Sequence, residues 1–265
     1  MMGYVLLALA ILPVLIIGTY VNRKDRNKEP ASILVKLFIY GILSCFIVLF
    51  ISDILSSIFP MLSSKVEKTS LVEMLIYAFI GVALVEEGSK LLMVYNIGYK
   101  NKEFDEIYDI IIYSVFVALG FAAFENILYV LGNETIEASI TTGILRAILA
   151  VPGHACDGLF MGYYLSLAKI SELQNQKEES KKYLLKSLLI PTILHGTYDF
   201  CIFTGMPIFL LVFLIFVIWM YINAVKKLKL VATNNRSLYM QNKYCAFCGA
   251  PATGVFCGHC GHRIQ

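Results

Sequence analysis

The chain has 265 residues, of which 58% are hydrophobic and 15% are charged, and its formal net charge at pH 7 is +3. The charged share is well below the roughly 25% of a typical soluble domain, and the mean hydropathy is +0.72. This composition excludes an ordinary soluble globular protein.

Seven apolar stretches are each long enough to cross the roughly 30 Å hydrocarbon core of a bilayer as a helix. They cover about residues 4–20, 32–58, 71–97, 107–131, 138–168, 183–203 and 206–225. The sequence therefore predicts an all-α polytopic membrane protein, with about seven transmembrane helices in residues 1–225 and the lipid bilayer as its surroundings.

Lysine and arginine are concentrated in every second connection between these stretches. Residues 21–31, 98–106, 169–182 and the tail after residue 225 contain most of them, whereas the connections on the opposite side contain only Lys65 and Lys68. Because basic loops stay in the cytoplasm, this alternation predicts a multi-pass protein of the cell membrane with its N-terminus outside and its C-terminus cytoplasmic.

The third stretch contains Glu86, Glu87 and Lys90 within the apolar segment VALVEEGSKLLMV. Ionisable side chains inside a membrane are costly and mark function by default. On a helix, Glu86 and Lys90 share one face while Glu87 points about 100° away. We therefore expect Glu86 to pair with Lys90 and Glu87 to address a cavity as the base.

The fourth stretch contains the segment FAAFENILY, in which Phe121, Glu125 and Tyr129 are spaced by four residues. This spacing places one carboxylate between two aromatic rings on a single helix face. The two rings are compatible with ordinary packing, but an unpaired buried carboxylate is too costly to be incidental. Glu125 is therefore a candidate site residue.

The fifth stretch places His154 behind Pro152, which can kink the helix and free backbone groups. Asp157, three residues later, could hold the imidazole of His154. Gly158 keeps the same face small, so that another helix or a substrate can approach. In the sixth stretch, His195 and Asp199 lie one helical turn apart on one face.

The cytoplasmic tail divides into a polar, basic linker at residues 226–243 and a cysteine-rich module at residues 244–265. The module contains two CxxC pairs with eight residues between them: Cys245, Cys248, Cys257 and Cys260. Four thiolates at this spacing predict a structural zinc ribbon. Two disulfides or a redox-active CxxC are the alternatives, and a reducing cytoplasm disfavours both.

Taken in order, these motifs resemble those of the PrsW family of intramembrane proteases, which is related to the type II CAAX prenyl endopeptidases. Glu86-Glu87-x-x-Lys90 is similar to its EExxK motif, Phe121-x-x-x-Glu125-x-x-x-Tyr129 to FxxxExxxY, His154 to the histidine of its HA-containing helix, and His195-x-x-x-Asp199 to HxxxD. The resemblance covers about residues 70–205, which would form the protease core. The seventh stretch and the ribbon lie outside it.

The resemblance implies an endopeptidase that cuts membrane-anchored proteins, and the best-known role of the family is site-1 cleavage of single-pass anti-sigma factors. It implies that Glu86 or Glu87 activates water, and that His154 and His195 bind the oxyanion or a metal. Glu125 and Asp199 would position the imidazoles. We assign Phe121, Tyr129, Asp157 and Gly158 to the lining of the site.

Whether the reaction uses a catalytic metal is left open by the resemblance, because the wider group has been described both as metalloproteases and as glutamate-type enzymes. The sequence contains no HExxH, the spacing that places two zinc-binding imidazoles on one helix turn. The paired glutamates with a basic neighbour favour a glutamate-activated water.

Two other functions fit buried polar residues. A proton-coupled transporter also uses Glu, His and Lys in its spans, but the sequence shows no internal repeat and no paired broken helices. A non-catalytic scaffold or sensor would signal through the ribbon. The ribbon is expected to bind a cytoplasmic protein partner, since it lacks the basic and aromatic surface of a nucleic-acid-binding module.

Overall fold

The structure is a computed structural model, which describes residues 2–233, 235, 238, 243–244, 248, 251–252 and 259–260. Its helices are α1 (Met2–Lys24), α2 (Ala31–Ile58), α3 (Leu71–Ile76), α4 (Leu84–Met93), α5 (Ile107–Leu131), α6 (Ile136–Leu145), α7 (Val151–Leu173), α8 (Lys177–Phe203) and α9 (Pro207–Thr233). A 3-10 turn covers Pro60–Leu62.

Short π-helical segments make some of these helices continuous. Tyr77–Ala83 joins α3 to α4, Val94–Tyr99 extends α4, and Arg146–Ala150 joins α6 to α7. The described chain therefore contains seven long helical rods: α1, α2, α3–α4, α5, α6–α7, α8 and α9. This confirms the prediction of an all-α protein with about seven long helices.

Five of the rods are long and apolar enough to cross a membrane by length and composition, namely Gly3–Lys24, Ala31–Ile58, Ile107–Leu131, Ile136–Leu173 and Pro207–Thr233. The other two, α3–α4 and α8, contain the polar motifs around Glu86 and His195. Large apolar side chains such as Phe50, Ile208 and Ile215 are exposed on the outside of the bundle, as expected for side chains that face lipid. The protein is integral to a membrane.

Helix α5 lies at the centre of the bundle and packs against α1, α2 and α7. Two glycines allow the closest approaches. A Cβ on Gly120 would lie 2.0 Å from the carbonyl oxygen of Phe38 in α2, and a Cβ on Gly162 of α7 would lie 2.6 Å from the Cα of Ile111. Small residues let membrane helices meet backbone to backbone, so α7 is held directly against α5.

Helix α7 is α-helical through Pro152, and the π-helical segment Arg146–Ala150 ends two residues before that proline. Such segments are frequent at functional sites, because they rotate the side chains that follow relative to a regular helix. Here the segment lies immediately before the turn that contains His154.

Beyond α9 the described residues include a short antiparallel pair, β1 (Lys243–Tyr244) with β2 (Pro251–Ala252). Cys245 and Cys257 lie outside the described residues, so the four-cysteine zinc site stays a prediction. The boundaries proposed for the linker and the ribbon likewise stay predictions.

Candidate active site

Four helices bring the predicted polar side chains together inside the bundle. Helix α4 supplies Glu86, Glu87 and Lys90, α5 supplies Glu125, α7 supplies His154, and α8 supplies His195 and Asp199. One ligand atom from each of Glu86, Glu87, His154 and His195 lies within 4.8 Å of the others, and all four residues are buried. Residues that are far apart in the sequence thus form one cluster.

The ammonium of Lys90 is at the centre of this cluster. Its Nζ lies 2.8 Å from Oε1 of Glu87 and 3.3 Å from Oε2 of Glu86. It also lies 3.2 Å from Nδ1 of His154 and 4.0 Å from the centre of the Phe121 ring. Lys90 is only 1% exposed, so the surrounding carboxylates and the ring replace its hydration.

The imidazole of His154 is bonded at both nitrogens. A lysine ammonium only donates hydrogen bonds, so Nδ1 of His154 accepts from Lys90. The proton is then on Nε2, which donates to Oε2 of Glu125 at 2.8 Å. In this arrangement His154 has no proton left for an oxyanion, contrary to one of the two roles implied by the resemblance.

His195 joins the two glutamates from the side of α8. Its Nδ1 lies 2.8 Å from Oε1 of Glu87, the same oxygen that accepts from Lys90. Its Nε2 lies 3.4 Å from Oδ2 of Asp199 and 3.8 Å from Oε2 of Glu86. The distance to Glu86 is longer than a direct hydrogen bond.

Arg146 belongs to the same network but was not singled out from the sequence. Its Nη2 donates to Oε2 of Glu125 at 2.6 Å, and its Nε donates to Oδ1 of Asn126 at 2.7 Å. Its guanidinium also lies 4.2 Å from the centre of the Tyr129 ring. An arginine inside an apolar stretch, eight residues before His154, was the signal that could have identified it.

A cavity of about 1140 Å³ reaches this cluster. The site residues that line it are Glu86, Glu125, Tyr129, Arg146, His154, Asp157, His195 and Asp199. Residues 62–68, between α2 and α3, also line it. The polar cluster and this connection therefore border the same cavity.

Of the two expectations for the adjacent glutamates, the structure confirms that Glu86 contacts Lys90 and contradicts that Glu87 faces the cavity. Glu87 makes the shorter contact with Lys90, is 0% exposed and is not among the residues that line the cavity. Glu86 lines the cavity and keeps the longer contact with Lys90. The expectation that Glu87 would address the cavity was wrong. His195 of α8 forms a hydrogen bond with Glu87, and a contact from another helix cannot be predicted from residue spacing within α4.

Of the four residues assigned to the lining, Tyr129 and Asp157 lie on the cavity wall. Phe121 is behind Lys90 and His154 instead. Gly158 faces α5, where a Cβ would lie 2.8 Å from the carbonyl oxygen of Ser114. Asp157 does not hold His154, and its buried Oδ1 has no hydrogen-bond partner among the described residues.

Comparison with known proteins identifies the family of the chain. The family model described as PrsW family intramembrane metalloprotease matches residues 29–224. The chain is 33% identical over 238 residues to the protease PrsW of Clostridioides difficile strain 630, covering 89% of this chain and 95% of that protein. It is 35% identical to the protease PrsW of Oceanobacillus iheyensis, covering 84% and 94%, and 30% identical to that of Bacillus subtilis strain 168, covering 86% and 97%. No solved structure matches the chain.

Proposed function

The chain belongs to the PrsW family of intramembrane proteases, and on that basis we propose that it hydrolyses membrane-anchored proteins with a water activated by Glu86. It is a peptide hydrolase of the membrane. The observation that supports Glu86 is its position on the cavity wall, 3.3 Å from Lys90 and 3.8 Å from Nε2 of His195. The transporter and scaffold alternatives are not favoured, because its relatives are proteases over most of its length.

In the proposed reaction, a water between Glu86 and His195 transfers a proton to the Glu86 carboxylate while its oxygen bonds to the peptide carbonyl carbon. The carbonyl oxygen becomes an oxyanion in a tetrahedral intermediate. The C–N bond then breaks, and Glu86 returns its proton to the leaving amine. The products are a carboxylic acid and an amine, between which a proton then passes to give a carboxylate and an ammonium, and Glu86 is regenerated.

The other buried groups prepare this step. Lys90 and His195 both donate to Oε1 of Glu87. These two hydrogen bonds stabilise the charged form of Glu87, so that Glu86, on the cavity side, is the proton acceptor. His195 lines the cavity, and its Nε2 lies 3.4 Å from Oδ2 of Asp199. When protonated, Nε2 would donate to Asp199 before the reaction, which orients the ring, and would transfer this hydrogen bond to the oxyanion as the tetrahedral intermediate forms.

The substrate would approach from the outer side of the membrane. With the N-terminus outside, as the distribution of basic residues predicts, residues 62–68 lie on the outer face of the bilayer. These residues also line the cavity. A membrane-anchored protein could therefore present its outer juxtamembrane segment to Glu86, and an anti-sigma-factor-like protein would fit this class of substrate.

The family description includes a metal, and Glu86, Glu87, His154 and His195 are chemically suitable donors for one. The position of Lys90 opposes it, because the ammonium already lies within 3.3 Å of three of these four residues. With Lys90 charged the residues do not fit a divalent ion, and the proposed reaction uses none.

Residues 1–225 would form the membrane domain, with the protease core at about 70–205. Residues 226–243 would connect it to a cytoplasmic zinc ribbon at 244–265, and the first part of this connection, up to Thr233, continues helix α9. The antiparallel pair of β1 and β2 on either side of Cys245 and Cys248 supports the ribbon, since a two-stranded pair this short needs a further constraint.

Mutation of Cys257 to Ser should release one zinc ion from the full chain. The ribbon would bind a cytoplasmic protein, and nothing in its sequence favours nucleic acid.

The test is cleavage of a transmembrane model substrate by the purified full-length protein. We expect Glu86→Gln to lower kcat by about 10²–10⁴-fold, the usual contribution of a general base. His195→Ala should lower it as well. Full activity of Glu86→Gln would refute the assignment of the base, and full activity of both variants together with Glu87→Gln would refute hydrolysis at this site.

A further inference from the structure

We propose that Lys90 is the resident cation of the active site and that its ammonium excludes a divalent metal ion from the donors Glu86, Glu87, His154 and His195. This inference deepens the proposed function and rests on its placement of the active site.

The four donors would be expected to bind a metal if the lysine were absent. Two carboxylates and two imidazoles are ligands that zinc accepts, and one atom of each lies within 4.8 Å of the others. All four residues are buried. If these four donors bind no metal, a specific feature of the site must prevent it.

Lys90 occupies the middle of this donor set. Its Nζ is 2.8 Å from Glu87, 3.3 Å from Glu86 and 3.2 Å from His154. The fourth donor, His195, bonds to the same oxygen of Glu87 that Lys90 contacts. One ammonium thus contacts three of the donors directly and the fourth through a shared carboxylate.

His154 makes the same contacts as a metal-binding histidine, except that Lys90 occupies the position of the metal. Imidazoles that bind metals usually donate from the other ring nitrogen to a carboxylate, which fixes the tautomer and the direction of the free lone pair. In His154, Nε2 donates to Glu125 and the Nδ1 lone pair points at Lys90. Arg146 holds Glu125 in turn.

The ammonium cannot easily leave to make room for an ion. It lies 4.0 Å from the centre of the Phe121 ring, and Lys90 is 1% exposed. A divalent ion among these donors would lie beside a buried positive charge, where repulsion is poorly screened. The single positive charge of Lys90 neutralises only one of the two adjacent carboxylates. The other carboxylate keeps its negative charge and can accept a proton from water.

The experiment measures the metal content of the full chain in lipid nanodiscs after exposure to zinc and buffer exchange. The variants are the wild type, His154→Ala, Lys90→Met, Lys90→Arg and the double variant Lys90→Met with His154→Ala. Any zinc held in the ribbon is common to all five, so only differences between variants report on the membrane cluster.

We expect the wild type, His154→Ala and Lys90→Arg to hold equal numbers of ions. Lys90→Met should hold one ion more, and the double variant should lose that additional ion. A lower ion content in His154→Ala than in the wild type would overturn the proposal, as would a folded Lys90→Met that gains no ion. If Lys90→Met does not fold, the comparison of the wild type with His154→Ala decides.

The outcome is separable from that of the proposed function. A wild type that loses an ion with His154→Ala, while Glu86→Gln is inactive, would refute the role of Lys90 and leave the protease assignment in place. The expected ion contents together with a fully active Glu86→Gln would refute Glu86 as the base and leave the role of Lys90 in place.

Discussion

Oε2 of Glu125 lies 2.6 Å from Nη2 of Arg146 and so ties α5 to the π-helical segment that leads into α7. The same oxygen accepts from His154. Arg146 thus contacts Glu125, which in turn accepts from His154, and we expect Arg146 to act as a positioning residue for the proposed site.

Replacement of Arg146 by Met should therefore impair catalysis without removing a reacting group. We expect kcat to fall by about 10–100-fold, the usual effect of losing a group that orients a ligand or base. Arg146→Lys should restore part of the activity, because lysine keeps the charge but not the fork that holds Glu125 and Asn126 together.

The measurement is kcat and KM for a transmembrane model substrate, with Arg23→Met as the control because Arg23 is an exposed arginine at the end of α1. An unchanged kcat in Arg146→Met would show that Glu125 does not need this partner.

The two adjacent glutamates should differ in their effect on stability. Glu87 is fully buried and accepts from Lys90 and His195, so Glu87→Gln breaks a buried network and should cost about 3–5 kcal/mol of the free energy of unfolding. Glu86→Gln should cost less, since Glu86 is at the cavity and makes the longer contact with Lys90.

Unfolding of both variants in mixed detergent micelles, compared with the wild type, gives the two free energies. A larger loss in Glu86→Gln than in Glu87→Gln would contradict the arrangement found here.

The contact between α5 and α7 predicts a contrast between two glycines. A Cβ on Gly162 would lie 2.6 Å from Cα of Ile111 and 2.7 Å from the carbonyl oxygen of Ile110, both backbone atoms. Gly162→Ala should therefore destabilise the protein by about 1–3 kcal/mol. For Gly88, the described residues beyond its own stretch of helix place no atom within 4 Å of such a Cβ, so Gly88→Ala should be neutral or stabilising by up to about 1 kcal/mol.

Thermal unfolding of the two variants checks this contrast. Equal melting temperatures would show that α5 and α7 can separate at no cost.

Asp25, in the connection after α1, predicts a dependence of stability on pH. Its two carboxylate oxygens are buried and have no hydrogen-bond partner among the described residues. Burial raises the pKa of Asp25; the Lys28 ammonium opposes this rise and the Glu106 carboxylate adds to it. A raised pKa in the folded state means that the folded protein binds this proton more tightly than the unfolded chain does.

The associated stability is therefore fully present below the ordinary pKa of an aspartate and is lost as the pH rises through the raised value. Asp25→Asn removes this loss, so the variant should become more stable than the wild type as the pH increases through that range. The free energy of unfolding at a series of pH values measures the effect, with the exposed Glu134→Gln as control. A difference between Asp25→Asn and the wild type that does not change with pH would contradict it.

Much of the site was predictable because a helix converts sequence spacing into a shared face. The pairs Glu86 with Lys90 and His195 with Asp199 each follow from a separation of four residues, and both are close in the structure. Charged residues inside an apolar stretch were a second reliable signal, because burying a charge in a membrane costs free energy and such residues usually belong to a functional site.

The contacts between helices could not be predicted in this way. Asp157 is one turn from His154, yet the imidazole bonds instead to Glu125, which is in a different helix. Arg146 was overlooked for the same reason: its partner Glu125 lies 21 positions earlier in the sequence.

The sequence by itself determined the membrane class, the seven long helices and the identity of most of the buried polar residues, since hydrophobic length and helical period are local properties. Only the tertiary structure decided that Glu86 faces the cavity while Glu87 is enclosed with Lys90 and His195. The physical reason is that a buried charge is stabilised by whichever partner packing brings within hydrogen-bond distance, and packing between helices leaves no local pattern in the sequence.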